Sequence, residues 1–361
     1  MLIHNRLLPI GWVGVQVFFV LSGYLITGIL LSQTDKPFSN FLSRFYWRRG
    51  LRIWPLYFLF LALCAIASFF LRIPETWSTS WAYLASFTYN IARISPRFTD
   101  SDYFGHFWTL CVEEQFYLVW PFVVFLLPLK HFRRLVLFLV LGGPFIRYVT
   151  GLWFSAYFDS LSVIQRGVHN LPTSHLDAFA SGALLAVLPA GFRERIAPKA
   201  RRIFFVVLAV TMTTGIVQAW FLWRHGLPPH WLAFGFDNLE YFHQYVWAYS
   251  LLNFTGACLI FCALEDITIS RLLSFRPLVF IGTISYGVYL WHLPLMHILV
   301  VTWPADPHSL TGLVRFAVFF FGTLAVATLT YFLYERHFLR MKKLSLSPAM
   351  RPNSPSKNSL G

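Results

Sequence analysis

Residues 7–31 (LLPIGWVGVQVFFVLSGYLITGILL) run for 25 positions without a formal charge. A helix needs about 20 apolar residues to cross the hydrocarbon of a bilayer. A helix on a soluble protein needs a polar face. The segment therefore suits lipid, and it is too long for the apolar region of a cleaved leader. The pattern then recurs along the chain. Spans are predicted at 12–32, 52–72, 107–128, 135–153, 175–190, 203–222, 246–264, 279–301 and 313–334. Only 12% of residues are charged, against about 25% in soluble domains. A soluble fold would have to bury all these helices completely. The sequence thus predicts an all-α, polytopic transmembrane helix bundle of about nine spans over residues 1–340, with a Ser/Pro/Lys-rich disordered tail at 341–361. The apolar stretch 77–92 is short and Ser/Thr-rich, and is read as a re-entrant or interfacial helix. No internal repeat of the kind many transporters carry is visible.

The net charge of +14 is topological. Of the 29 Lys and Arg residues, 21 fall in alternate loops or the tail: Lys36–Arg52, Lys130–Arg134, Arg193–Arg202, Arg271–Arg276, and from Arg336 on. The positive-inside rule makes these cytoplasmic. This places the C-terminus inside and Met1 outside. A first span entering from outside with almost nothing before it predicts a further span upstream. No extramembrane domain combines basic and aromatic residues for nucleic-acid reading, so no nucleic-acid partner is expected. The four cysteines all lie in apolar segments and suggest neither disulfides nor a metal site.

Polar chemistry concentrates in a few places. Ten of the twelve histidines lie in outer loops or spans, and none forms an HExxH pair. No metal is expected. The sharpest segment runs from His106 to Pro121 (HFWTLCVEEQFYLVWP) and places Glu113 and Glu114 in an apolar span. An acidic residue at mid-membrane costs about 2.5–3.5 kcal/mol on insertion scales, so it needs a partner, a proton or a wet cavity. On a helix, His106, Thr109 and Glu113 share one face, while Glu114 points elsewhere. A structural polar lock between helices would also account for them. The segment Phe45–Phe58 sets Arg48, Arg49 and Arg52 against an aromatic belt at the start of a span, with Pro55 suiting a first helical turn. It reads either as a positive-inside anchor on membrane lipids or as a phosphate-binding mouth. The first span has small residues at 11, 14, 22, 23 and 28, which suit close helix packing.

On these residues the chain resembles the acyltransferase 3 family, whose members include O-antigen and other polysaccharide O-acetylases. Gly14–Thr27 is similar to that family's GVxFFVLSGxLI segment, and Arg48–Tyr57 to its RRxxRIxPLY segment. His106–Pro121 resembles its FWxSLxxExQFYLxWP segment, with Thr109 where Ser is usual and Glu113 at the motif glutamate. Asp177–Ala186 and Ile284–Pro294, the latter carrying His292, match further segments. Tyr334-Glu335 matches a closing pair, followed by His337 where the family often has Pro. The resemblance extends over nearly all of residues 1–340. His4 falls on a histidine that the family pairs with an arginine eleven residues earlier, a position before Met1. Together with the topology, this predicts a truncated first span and ten spans in a complete protein.

The resemblance implies acyl transfer, usually of acetyl, from cytoplasmic acetyl-CoA or another acyl-CoA to a hydroxyl of a cell-surface or lipid-linked glycan. It also implies a multi-pass protein of the bacterial cytoplasmic (inner) membrane. Under it, His4 is the general base or transient acyl carrier, Glu113 orients it, and Arg48, Arg49 and Arg52 hold the donor's phosphates. His106, Thr109, Tyr117 and His292 are candidates for substrate binding or oxyanion stabilisation. The rival class is a proton-coupled transporter or an exporter of a lipid-linked sugar, which an intramembrane glutamate and outer histidines would equally suit. A third is an inactive remnant. The acceptor, the acyl chain and the oligomeric state are left open by the sequence.

Overall fold

The computed structural model describes residues 13–70, 74–95, 97–227, 243–306 and 309–344. These form fifteen α-helices. The first half holds α1 (Val13–Leu31), α2 (Phe38–Phe70), α3 (Pro74–Ala85), α4 (Tyr89–Ala92), α5 (Trp108–Leu126), α6 (Leu129–Ser155) and α7 (Leu161–Asn170). The second half holds α8 (Leu176–Ala186), α9 (Ala190–Ile196), α10 (Ala200–Arg224), α11 (Gln244–Glu265), α12 (Ile267–Leu273), α13 (Arg276–Thr302), α14 (Leu310–Thr330) and α15 (Arg336–Leu344). A π-helical turn, Tyr331–Glu335, joins the last two.

Among the described residues, eight helices are long and apolar enough to cross a membrane. Their outward faces are strongly apolar. Phe138, Leu141 and Phe145 on α6 and Leu118 on α5 are all mostly exposed, as lipid-facing positions are. The polar side chains turn inward, reversing the arrangement of a soluble domain.

The predicted span 175–190 is corrected. Its helical part, α8, has only 11 residues, too few to cross hydrocarbon alone. It runs alongside α6 between Arg147 and Arg133. At its start, the Ser174 carbonyl accepts from Arg147 of α6, and just past its end the Val187 carbonyl accepts from Arg133 of the same helix. Its residues 176–183 are nearly all buried. Short and irregular backbone is tolerated at membrane depth where protein rather than lipid surrounds it. Pro189 and the polar His175 and Asp177 set its limits.

The packing that buries α8 depends on glycine. A Cβ on Gly23 of α1 would lie 2.0 Å from the Phe179 carbonyl oxygen, and one on Gly182 would lie 1.8 Å from the Val20 carbonyl oxygen. The two backbones therefore touch, as small residues allow in membrane bundles. Gly14 and Gly28 face open space, so only part of the small-residue stripe serves this contact. Above it, Phe116 of α5 stacks on Phe179 with ring centroids 4.0 Å apart.

A second correction concerns α2. It starts at Phe38, well before the predicted edge at 52, because Phe41 and Phe45 are buried against α5. Arg44, Arg48, Arg49 and Arg52 thus lie on a continuous helix. Pro55 is inside α2 rather than in a first turn. Its ring cannot donate to the Leu51 carbonyl. Nearby, the Ile53 carbonyl accepts from the Tyr286 hydroxyl of α13 at 2.9 Å. The stretch read as interfacial becomes α3 and α4, both too short to cross.

Candidate functional site

A cavity of about 780 Å³ lies between α1, α2, α5, α7 and α13. Its size falls in the range of small-molecule sites. One end is lined by Arg49, Arg52, Glu113 and Tyr286, and the other by His106, His169, His292 and His297 with Arg93 and Asp100.

At the first end, Arg49 Nη2 donates to Glu113 Oε1 at 3.0 Å. The guanidinium also donates to the Tyr117 hydroxyl and lies 4.0 Å over that ring. Ser22 Oγ of α1 donates to the same carboxylate oxygen at 2.6 Å. Glu113 is almost wholly buried, so the pair supplies the partner that an acidic side chain in an apolar helix requires. Sequence reading treated the arginines and Glu113 as separate features; the structure brings Arg49 and Glu113 into contact. Glu114 faces α2 instead, accepting from Trp54 Nε1 at 3.3 Å. Arg52 lines the cavity and forms no ion pair among the described residues. Arg48 is half-exposed and does not line it. Tyr117 lies behind the cavity wall as a partner of Arg49 and Ser22.

At the second end, the Tyr289 hydroxyl of α13 donates to the His106 carbonyl at 2.5 Å and lies 2.7 Å from Thr109 Oγ1. The His106 and His292 rings meet edge to face with centroids 4.7 Å apart. His106, Thr109 and Glu113 all line the cavity, as their shared helical face predicts. Arg93 is held by Asp100 (Nε to Oδ2, 2.8 Å), and donates to the Gly105 carbonyl and to Asn170 Oδ1. His4 lies outside the described residues.

His169 was not singled out among the outer histidines. Its Nδ1 lies 2.7 Å from the Tyr249 hydroxyl, and its ring packs on Trp108 with centroids 4.1 Å apart. Burial, then the neighbouring His175 and Arg93, hold its imidazole well below the ordinary histidine value. His175 Nε2 faces the His169 carbonyl at 2.8 Å, and its Nδ1 faces Gln16 Nε2 of α1 at 3.3 Å. This arrangement sets the Nε2–H tautomer.

Behind this end lies a pair that sequence reading also missed. Arg147 of α6 grips Asp177 of α8 with two bonds of 2.9 Å, and donates to the Ser174 and Val246 carbonyls and to Ser250 Oγ. Both side chains are buried. An arginine inside the predicted span 135–153 was the available signal, since a charge there needs a partner. Among the described residues, no three His, Cys, Asp or Glu side chains converge as metal ligands would.

A family model described as an acyltransferase domain matches residues 2–332. The chain belongs to the acyltransferase 3 family. Relatives of this family member include the peptidoglycan O-acetyltransferase OatA of Listeria monocytogenes, 31% identical over 307 residues, covering 79% of this chain and 45% of that protein. The putative peptidoglycan O-acetyltransferase YrhL of Bacillus subtilis is 26% identical over 299 residues, covering 79% of this chain and 44% of its own length. The O-acetyltransferase OatA of Staphylococcus aureus is 28% identical over 317 residues, covering 79% and 46%. The chain thus spans about half the length of the curated relatives it matches. No solved structure matches it. Family membership and eight long apolar helices make it an integral multi-pass membrane protein.

Proposed function

We propose that this chain is a membrane O-acetyltransferase that takes acetyl from cytoplasmic acetyl-CoA and delivers it to a hydroxyl of an extracytoplasmic glycan. Peptidoglycan, the glycan in the relatives' names, is the class to try first. The observation that carries the reading is a cavity that brings Arg49 and Arg52 together with His106, His169, His292 and His297. A donor with several phosphates suits Arg52, which lines the cavity and forms no ion pair among the described residues, beside Arg49. Arg48 serves better as a lipid anchor. The acceptor hydroxyl needs a base, and an unprotonated imidazole can take its proton. His4 keeps its proposed role as base or transient acyl carrier. Glu113 acts through Arg49, fixing the guanidinium, rather than as a free carboxylate. Thr109, His106 and His292 border the reacting end as substrate contacts, while Tyr117 supports the Arg49–Glu113 pair. The apolar bundle around the cavity keeps water from the activated acyl group.

The basic loops and C-terminus face the cytoplasm under this reading, so donor and acceptor approach from opposite sides. Membranes containing the chain, given radiolabelled acetyl-CoA and unmodified peptidoglycan oligosaccharides, should form a base-labile ester on the glycan. Movement of a glycan without any new ester would make the chain a transporter.

A further inference from the structure

His169 is the penultimate residue of the ten-residue helix α7, and several elements fix it there. The Asn170 carbonyl accepts from Asn90 of α4, and Asn170 Oδ1 accepts from Arg93. The His169 carbonyl is bonded by His175, itself held by Gln16 of α1. The ring is fixed at Nδ1 by Tyr249 of α11 and flanked by Trp108 of α5. Among the described residues its Nε2 has no hydrogen-bond partner, and the residue lines the cavity. An imidazole gripped on one nitrogen, with the other open to a cavity, is the geometry of a proton-transferring histidine. A histidine that merely packed would have no reason to present that edge.

We propose that His169 is the acceptor-side base of the acetyl transfer, its Nε2 removing the proton of the glycan hydroxyl as that oxygen attacks the acetyl carbonyl. This rests on the acetyl-transfer reading above. Nδ1–H donating to the Tyr249 hydroxyl leaves the Nε2 lone pair directed at the substrate, so Tyr249 is a positioning residue. The acetyl carbon gains the glycan oxygen and loses the CoA sulfur, directly or by way of His4. The electron pair of the broken C–S bond leaves on sulfur. The proton taken by Nε2 is returned to the thiolate, leaving one ester and one thiol. The charged and titratable groups around the ring are His175 and Arg93, with Tyr249 bonded to it.

The test is acetyl transfer by the full chain in vesicles, from radiolabelled acetyl-CoA to peptidoglycan oligosaccharides released by muramidase. Wild type, His169→Gln, His169→Ala and Tyr249→Phe are compared over pH 5–9. His169→Gln should lower kcat about 100-fold with the KM for acetyl-CoA unchanged. Added imidazole should restore part of the His169→Ala activity. Tyr249→Phe should lower kcat and displace the acidic limb of the pH profile. His169→Gln acting within threefold of wild type would overturn the proposal while leaving the acetyl-transfer reading intact. Should both His169 variants fail to fold, an unchanged pH profile in Tyr249→Phe would overturn it instead. No ester from wild type would reject the acetyl-transfer reading itself.

Discussion

Arg49 and Glu113, 64 residues apart, form an ion pair of 3.0 Å inside the bundle, with the Ser22 hydroxyl on the same carboxylate oxygen and the Tyr117 ring under the guanidinium. Three helices thus meet on one carboxylate. Removing one partner of such a pair strands the other charge, and the penalty for an uncompensated buried charge is about 3–5 kcal/mol. Glu113→Gln and Arg49→Gln should each lower both thermal stability in detergent and acetyl transfer, the latter on the order of 10² through misplacement of the site. The double variant should be little worse than either single one, because the pair acts as a unit. Additive losses in a double-mutant cycle would contradict the pairing.

Arg52 forms no ion pair among the described residues and faces the same cavity. Arg52→Ala should therefore raise the KM for acetyl-CoA about tenfold or more, with a smaller effect on stability than Arg49→Gln. Arg48→Ala should leave donor kinetics unchanged. Steady-state kinetics at varied donor concentration checks both.

The α1–α8 crossing leaves no room for a methyl group at either glycine. Gly182→Ala and Gly23→Ala should sharply reduce the amount of folded protein in the membrane, because backbone, not a yielding side chain, meets the new Cβ. Gly28→Ala on the same helix, where nothing lies within 4 Å, should accumulate normally. Fluorescence-detected size-exclusion of the three variants separates these outcomes.

Asp177→Asn leaves buried Arg147 with carbonyl and hydroxyl partners but no counter-charge. A loss of about 3 kcal/mol or more is expected. Arg147→Met combined with Asp177→Leu should recover part of it, since two apolar side chains leave no stranded charge. Thermal midpoints of the purified variants measure this.

His169 titrates in the folded protein below its ordinary value. The unfolded chain therefore binds the proton first on acidification. The contribution of this residue to stability is present above about pH 6.5 and falls as the pH drops below that, towards the folded-state value. His169→Gln should flatten this part of the stability profile between pH 6.5 and 5. A slope identical to wild type would show that other groups set it.

Much of this was legible in the sequence because the bilayer imposes a simple rule on helix length and charge. The eight long helices fall where uncharged runs fall, and the shared face of His106, Thr109 and Glu113 follows from helical spacing. The segment 175–190 was misjudged as a full span because α8 is apolar for the opposite reason: protein, not lipid, covers it. The start of α2 was missed because a basic stretch reads as a loop until Phe41 and Phe45 are seen to be buried. The pairs Arg49–Glu113 and Arg147–Asp177 join residues far apart in the chain, and local spacing holds no record of which charge meets which. His169 was one of ten similar outer histidines until Tyr249 and Trp108 fixed its ring.

The central claim is that one cavity joins a phosphate-binding end to an acetyl-accepting end. Vesicles of known orientation carrying the full chain, with radiolabelled acetyl-CoA supplied only on the side of the basic loops and peptidoglycan oligosaccharides only on the other, test it directly. The account predicts labelled, base-labile ester on the oligosaccharides, lost in Arg52→Ala at low donor concentration. Ester formed only when donor and acceptor share one side, or none at all, would contradict it.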